Sequence, residues 1–368
     1  MRFYSKLIII FAAITILFNS CKNELNILAP YKETVSVYAL LNPTAARQYV
    51  RINKIYLGEG NAYTMATVND SINYKQGVLK VSLSRTFNGS AANTTVGNPT
   101  KMEIILSDTV IQTESGAFNQ NQRLWFTNDR LYATGEYHLK IQNTQTGNEF
   151  TAKALMIDSI LQPGTIQPLG SPFYPVPYSP SNPSWYYLDL SATTLPRKIK
   201  FFSMPNARDY SAIMRLNYID STTTGNITRV LDYTFSNMSS LTLDGGEEII
   251  FNYTSGDYFN YVYNEINKNP EPAGLLFRRV INIDFIVTAG NQDFADFLRI
   301  SAPSSSVAQD KPAYTNIEGG GYGIFACRST YYKRKHLANA TIDYMATKKP
   351  LCDLRFLNAF GFPGSTCN

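Results

Sequence analysis

The sequence predicts a mainly β protein in two parts, and three observations lead to this fold class. Short runs of alternating apolar and polar residues recur at intervals of about a dozen residues. The composition favours strands, with 25 tyrosines and 21 phenylalanines, whereas charged residues make up only 17% of the chain. A proline-rich segment, residues 162–184, separates an N-terminal half from a C-terminal half.

The runs of the N-terminal half predict paired strands. The first two, 34–41 and 48–57, flank a turn at 42–44, and Val50 and Ile52 of the second run fall on one side of the predicted strand. Further strand-like runs occupy 78–85, 101–106, 123–127, 136–142 and 149–155. Residues 87–100 have the Gly, Asn, Ser and Thr content of a surface loop. This half is therefore predicted to be an Ig-like β-sandwich over residues 32–157.

Prolines define the predicted boundary between the halves. Residues 162–184 contain seven of them, and each removes a backbone donor and restricts φ, which excludes an interior strand or helix. Residues 158–184 are predicted to be either a stiff linker or a strap packed across both domains.

The C-terminal half, 185–368, is predicted to be a larger antiparallel β domain with two short helices. In the first helix, after Ser255 as the expected N-cap, apolar residues recur with helical spacing at Phe259, Val262, Tyr263 and Ile266. The second helix is expected near 291–301, with one face formed by Phe294, Phe297 and Leu298. Strand-like runs occupy 198–204, 210–220, 227–235, 247–254 and 275–289.

The N-terminus predicts export and lipid anchoring. An apolar run, Leu7–Phe18, follows Arg2 and Lys6, and it is too short to span a bilayer but has the length of a signal-peptide core. Its end, Asn19-Ser20-Cys21, resembles a bacterial lipoprotein signal, in which the Cys sulfur receives diacylglycerol and becomes the new N-terminus. Residues 1–20 are thus expected to be removed, with 21–31 as a tether. The alternative is an ordinary secretory signal.

The cysteine count fits an oxidising compartment. With Cys21 lipidated, Cys327, Cys352 and Cys367 remain, which allows one bridge and one free thiol. We predict a Cys352–Cys367 bridge near the C-terminus. Cys327 lies in an apolar strand and is predicted to be a buried thiol, although a bridge from Cys327 to either partner stays open.

Composition and motifs give little support to catalysis, metal binding or nucleic-acid binding. The net charge is +5 without a dense basic cluster, and the tightest basic run, 333–336, is predicted to be the exposed end of a hairpin. The two histidines, His138 and His336, are too few for the common zinc motifs, and no cofactor or metal is expected. A hydrolase built from carboxylates or a Ser-His pair stays as an alternative, although Asp284 and Asp293 are isolated in the sequence.

Aromatic residues after the proline segment predict a ligand surface. Tyr and Trp rings stack on sugars, and Trp185 and Tyr187 are the candidates for ligand-facing aromatics. The alternative is that these rings fill the core of a β protein.

A glycine-rich motif carries a resemblance to a known family. In YTNIEGGGYGIFACRS, residues 314–329, the signature positions are Asn316, Gly319, Gly320, Gly321 and Gly323. This motif resembles a C-terminal signature of a large family of Bacteroidota outer-membrane lipoproteins of unknown function, and the resemblance extends loosely over most of the chain. The residues by themselves predict a structural turn before a buried strand, with a ligand-approach loop as the alternative.

The resemblance implies an outer-membrane lipoprotein of the kind often encoded near TonB-dependent receptors. The leading hypothesis is a non-enzymatic, lipid-anchored accessory protein that works with such a receptor in nutrient capture, on the periplasmic or the cell-surface side. The alternative is a stand-alone surface protein that binds a glycan or a peptide.

Overall fold

The computed structural model describes residues 33–55, 62–114, 120–158, 187–302, 313–364 and 367. This part of the chain is mainly β with several antiparallel sheets, which confirms the predicted fold class. The predicted signal peptide, the tether and residues 159–186 lie outside the described residues.

A ten-stranded sheet forms the largest layer and draws strands from both halves of the sequence. Its strands, in order across the sheet, are β13 (Gly225–Thr234), β12 (Ala207–Thr222), β16 (Leu275–Asn291), β17 (Tyr322–Leu337), β1 (Val35–Leu41), β2 (Gln48–Lys54), β7 (Asn121–Thr127) and β6 (Ser107–Gln112), with β10 (Tyr187–Leu188) paired to β17 and β14 (Met238–Ser239) paired to β12.

Two smaller sheets and several helices complete the described structure. The five-stranded sheet contains β4 (Ser90–Ala92), β3 (Leu79–Phe87), β8 (Glu136–Asn143) and β9 (Glu149–Leu155), with β5 (Glu103–Ile105) on β3; the two-stranded sheet pairs β11 (Pro196–Phe202) with β15 (Glu248–Thr254). The helices are α1 (Ala62–Ala66), α2 (Asn69–Ile72), α3 (Ser255–Asn267), α4 (Gln292–Ser301), α5 (Asn339–Thr347) and a 3-10 turn at Leu351–Leu354.

One hydrophobic core connects these layers. In the N-terminal half, Val37 and Ile52 of the large sheet belong to the same buried cluster as Val81 and Leu139 of the five-stranded sheet. This arrangement is sandwich-like, because alternate residues of both sheets point to a shared interior. The predicted burial of Val50 and Ile52 is confirmed.

Strand β17 joins the two halves of the chain. Its first part, Tyr322–Cys327, pairs in parallel with β1, and its later part, Arg328–Lys335, pairs antiparallel with β16. Backbone hydrogen bonds of the large sheet therefore cross between the predicted N-terminal and C-terminal domains. The basic run Lys333–His336 lies inside β17 and not at a hairpin end, because the strand continues to Leu337.

Local features differ from the sequence prediction at three other points. Helix α3 is capped by Thr254, whose hydroxyl accepts from the backbone N–H of Asp257, and Ser255 is already helical. Leu298 of α4 is exposed, because the helix turns the small residue Ala295 inward. The predicted loop 87–100 contains β4 and the buried Thr94, whose hydroxyl donates to a backbone carbonyl.

Candidate functional site: an aromatic face on the large sheet

The outer side of β1 and β2 carries exposed aromatic rings. Successive side chains of a strand point to opposite faces, so the buried Val37 and Val50 leave Tyr38 and Tyr49 on the outside. Tyr38 is 47% exposed and Tyr49 is 43% exposed. Two exposed rings on neighbouring strands make this surface a candidate binding site.

An arginine orders the rings beside Tyr49. The guanidinium carbon of Arg47 lies 4.8 Å from the ring centroid of Phe126, and the Phe126 and Tyr49 centroids are 6.4 Å apart. Arg47 also donates from Nε to the side-chain oxygen of Asn128 at 2.6 Å and from Nη1 to the Tyr49 hydroxyl at 3.3 Å. The cation and the two rings therefore form one preorganised group.

Tyr38 is held from the other side by helix α4. Its ring centroid lies 6.3 Å from that of Phe297, which in turn contacts Tyr314 at 6.1 Å. In the strand register Tyr38 pairs with Arg51, which lies two residues from Tyr49, so the two exposed tyrosines are diagonal neighbours. We call the group Tyr38, Arg47, Tyr49, Arg51 and Phe126 the aromatic face.

A row of alternating charges crosses four neighbouring strands of the same sheet. Each member of the row is the register partner of the next one across the sheet. The members are, in order, Asp232 on β13, Arg215 on β12, Asp284 on β16 and Arg334 on β17. Arg215 binds Asp232 through two hydrogen bonds of 2.6 and 2.7 Å, and Arg334 binds Asp284 at 2.8 and 3.1 Å. The row favours this register, because a shift of one residue would place Arg215 opposite Ile283 or Phe285 in place of Asp284.

Burial opposes ionisation of Asp284, but hydrogen bonds from Arg334, Tyr332 and Asn217 outweigh it and lower its pKa. We therefore predict that Asp284→Asn lowers the free energy of unfolding at pH 7 by about 3 kcal/mol. Because the pKa of Asp284 is lower in the folded state, its ionised carboxylate stabilises the fold at pH values above the unfolded-state pKa of about 3.9. This stabilisation is lost as the pH falls through the folded-state pKa.

Urea titrations of the wild type and of Asp284→Asn at pH 7, 4 and 3 would check this. The exposed Asp70 gives the matched control, and Asp70→Asn should change stability by less than about 0.5 kcal/mol. A stability difference for Asp284→Asn that is the same at all three pH values would contradict the prediction.

The two carboxylates considered for catalysis do not lie together. Asp284 is bound in the charge row, whereas Asp293 lies in the first turn of α4 and accepts a hydrogen bond of 3.0 Å from the Tyr314 hydroxyl. Burial raises the pKa of Asp293 despite that hydrogen bond. Both carboxylates thus have partners within the fold.

The glycine motif lies where β1, β9 and β17 meet. The side-chain amide of Asn316 pairs with the backbone of Phe325 as a neighbouring strand would. It accepts from the backbone N–H of Phe325 at 2.9 Å and donates to the carbonyl oxygen of Phe325 at 2.8 Å. The backbone N–H of Glu318 donates to the carbonyl of Thr151 on β9 at 2.8 Å. The motif connects the five-stranded sheet to the large sheet.

Two of its glycines allow backbones to approach closely. Gly319 and Gly323 have φ values of +85° and +111°, which side-chain-bearing residues rarely adopt. A Cβ atom at Gly323 would lie 2.0 Å from the carbonyl oxygen of Val37, and one at Gly319 would lie 2.4 Å from that of Glu149. These contacts favour the structural-turn interpretation of the signature over a ligand-approach loop.

Tyr187, one of the two aromatics predicted to face a ligand, lies far from the aromatic face. Tyr187, on β10, is 40% exposed and its ring centroid is 6.3 Å from that of His336. The segment of β17 beside Tyr187 is about 12 residues, or roughly 40 Å along the strand, from the segment beside Tyr38. Trp185 and the predicted lipidation site Cys21 lie outside the described residues.

The predicted bridge is present between Cys352 and Cys367, which are 15 residues apart in the sequence. A loop of this size is worth about 3 kcal/mol to stability. Asp353 lies beside both sulfurs, but the bridge occupies them and leaves no thiolate there for a metal. Cys327 is a buried free cysteine, as predicted, and burial raises the pKa of its thiol to about 12.

Thiol counting would check the bridge and the lipid together. The folded, non-reduced mature protein should expose no thiol to Ellman's reagent, because a buried thiol of high pKa does not react. After denaturation without reductant, one thiol is expected from Cys327, and Cys327→Ala should remove it. Two thiols would mean that Cys21 carries no lipid, and three would contradict the bridge.

His138 is also bound within the fold. Its Nε2 lies 3.0 Å from the Thr86 hydroxyl and 3.4 Å from a carboxylate oxygen of Glu136.

Sequence analysis missed the aromatic face itself. The signal for it was the exposed phase of the strand alternation, in which Tyr38 and Tyr49 stand where surface strands usually carry polar residues.

Comparison of the sequence with protein-family models and with curated proteins found no match. Among the described residues, every helix is either too short or too polar to cross a bilayer.

Proposed function

We propose that this chain is a lipid-anchored accessory protein of the outer membrane, held by Cys21, that works with a TonB-dependent receptor in nutrient capture without being an enzyme itself. The signal-like N-terminus and the resemblance of residues 314–329 support the location and the class of partner. The aromatic face supports a role in binding.

The aromatic face is the single observation that carries the binding role. Tyrosine and arginine are enriched at the centres of protein interfaces, where a few such residues supply most of the binding energy. Here Tyr38, Tyr49 and Arg47 are presented by paired strands, and their contacts with Phe126 and Phe297 fix their positions before binding. Preordered side chains lose little entropy when a partner docks.

Affinity purification of the tagged, lipidated protein from native outer membranes tests the proposal. A barrel receptor in roughly equal amount is the expected result, and an unrelated tagged lipoprotein from the same membranes serves as the control. A protein that purifies without a barrel would contradict the accessory role.

A second candidate function is glycan or peptide binding by this protein alone. It is favoured by the exposed rings of Tyr38 and Tyr49, since Tyr rings stack on sugars, and by the adjacent Arg51, which can bind a hydroxyl or a carbonyl oxygen. Affinity electrophoresis of the purified protein through gels that contain polysaccharides would detect it. Retardation that disappears in Tyr49→Ala would favour this function over the accessory role.

A further inference from the structure

A cleft lies on the face of the large sheet opposite to the aromatic face, and the proposed function does not involve it. A cleft of about 360 Å³ opens where β12, β13 and β16 meet the end of helix α3. Its polar lining includes Tyr218 and Asp220 of β12, Arg229 of β13 and Arg278 of β16. This volume is within the range of small-molecule sites in proteins.

Two guanidinium groups in the cleft share one carboxylate. Arg278 donates from Nε to Oδ1 of Asp220 at 2.9 Å, and Arg229 donates from Nε to Oδ2 of the same residue at 3.0 Å. Asp220 is almost completely buried, and so is Arg278, which is 4% exposed. Two guanidinium groups and one carboxylate leave a net positive charge here, and the partly exposed Arg229 side chain presents it to solvent.

Several donors of these arginines remain for another group. Arg278 uses Nη1 to bind the carbonyl oxygen of Leu354 at 2.8 Å, but within the described part of the chain its Nη2 has no hydrogen bond. Arg229 uses only Nε there, and its side chain is 44% exposed, so its outer nitrogens are accessible. A guanidinium group with unused N–H donors can bind a carboxylate.

Tyr218 offers a further hydrogen-bond donor in the cleft. It is only 7% exposed and lines the cleft, yet its hydroxyl forms no hydrogen bond with any described residue. The hydroxyl therefore stays available to donate to a group bound in the cleft. Burial and the Asp220 carboxylate raise the pKa of Tyr218, whereas Arg278 and Arg229 act in the opposite direction, which places all three charges near the hydroxyl.

The rest of the lining is mainly apolar, with Glu265 and Asn269 as its other polar residues. Glu265 of α3 forms an ion pair with Lys268, so its charge does not balance the arginines. Leu231, Ile266 and Pro270 supply an apolar wall. A ligand that fits both parts has an anionic end and an apolar body.

We propose that this cleft binds an organic carboxylate. The carboxylate accepts from the free nitrogens of Arg229 and Arg278 and from the Tyr218 hydroxyl, and an apolar group next to it packs against Leu231 and Ile266. Asp220 positions both guanidinium groups and does not itself contact the ligand.

Calorimetric titration of the detergent-solubilised full chain tests the site, with N-acetyl-L-leucine as the probe. N-acetyl-L-leucinamide has the same body without the charge and should bind at least tenfold more weakly. Arg229→Gln should weaken binding of the acid at least tenfold, whereas Arg299→Gln, an exposed arginine of α4, should leave it unchanged. Tyr218→Phe is the sharpest variant, because it deletes only a hydroxyl without a partner and should weaken binding severalfold without lowering the thermal midpoint.

Each other outcome would overturn the proposal. Failure of the acid to bind, or equal binding of the acid and the amide, would exclude a carboxylate site. Inorganic phosphate that binds as tightly as the acid would indicate a general oxyanion site. Unchanged binding in both Arg229→Gln and Tyr218→Phe would place the bound probe elsewhere. None of these outcomes bears on the receptor purification, because the cleft and the aromatic face lie on opposite sides of the sheet.

Discussion

Gly323→Ala is expected to yield no stably folded protein. The added Cβ would lie 2.0 Å from the carbonyl oxygen of Val37, and its neighbours are backbone atoms that cannot rotate away. Relief of this clash requires β17 to separate from β1, and this pairing joins the two halves of the chain. We expect a loss of more than about 4 kcal/mol, comparable with the whole stability of many domains. Circular dichroism during urea unfolding would measure it.

A matched variant separates the clash from the cost of backbone conformation. Gly246 also has a positive φ, +84°, but a Cβ there meets open space. Gly246→Ala should therefore cost only about 1–2 kcal/mol. If the two variants are destabilised equally, the close approach of β17 to β1 is not what requires a glycine at position 323.

Tyr49→Ala combined with Arg47→Ala is expected to abolish recovery of the partner without unfolding the protein. Both side chains are exposed, so the loss of stability should stay below about 1 kcal/mol. Central interface residues of these types contribute about 2–4 kcal/mol each, which corresponds to a loss of affinity of about a thousandfold or more for the pair. Quantitative mass spectrometry of the purified complex would measure it.

Phe360 is the control for this double variant. It is 78% exposed on a turn near the C-terminus, so Phe360→Ala removes a comparable exposed ring from another surface. Recovery of the partner should be unchanged. Loss of the partner in Phe360→Ala, with retention in the double variant, would place the interface at the C-terminal turn.

Local structure was the most predictable part of this protein. Runs such as 48–57 and 275–289 predict strands, because the alternation of apolar and polar residues and the content of β-branched residues are visible within a few neighbouring positions. The hairpin of β8 and β9 and the helix with Phe259, Val262 and Ile266 were predictable for the same reason. The cap of that helix was misassigned by one residue, since Thr254 and Ser255 are both good caps by type and only their backbone conformations differ.

The candidate sites were less predictable than the elements that carry them. Tyr38 and Tyr49 stand eleven positions apart in the sequence, and the partners that order them, Phe126 and Phe297, come from distant segments. The cleft likewise combines Tyr218, Arg229 and Arg278. No local sequence pattern predicts that these residues lie close together, because their proximity depends on which strands become neighbours in the sheet.

By itself, the sequence determined the mainly β class, the positions of most strands and two helices, and the choice of Cys352 and Cys367 for the bridge. Each of these depends on side-chain alternation, helical spacing or short separation along the chain. Only the tertiary structure decided that β17 pairs with β1 and β16 at once, that the glycine motif lies at their junction, and that Arg229 and Arg278 share Asp220. Those features arise from contacts between residues far apart in sequence, whose geometry is set by the packing of the whole core.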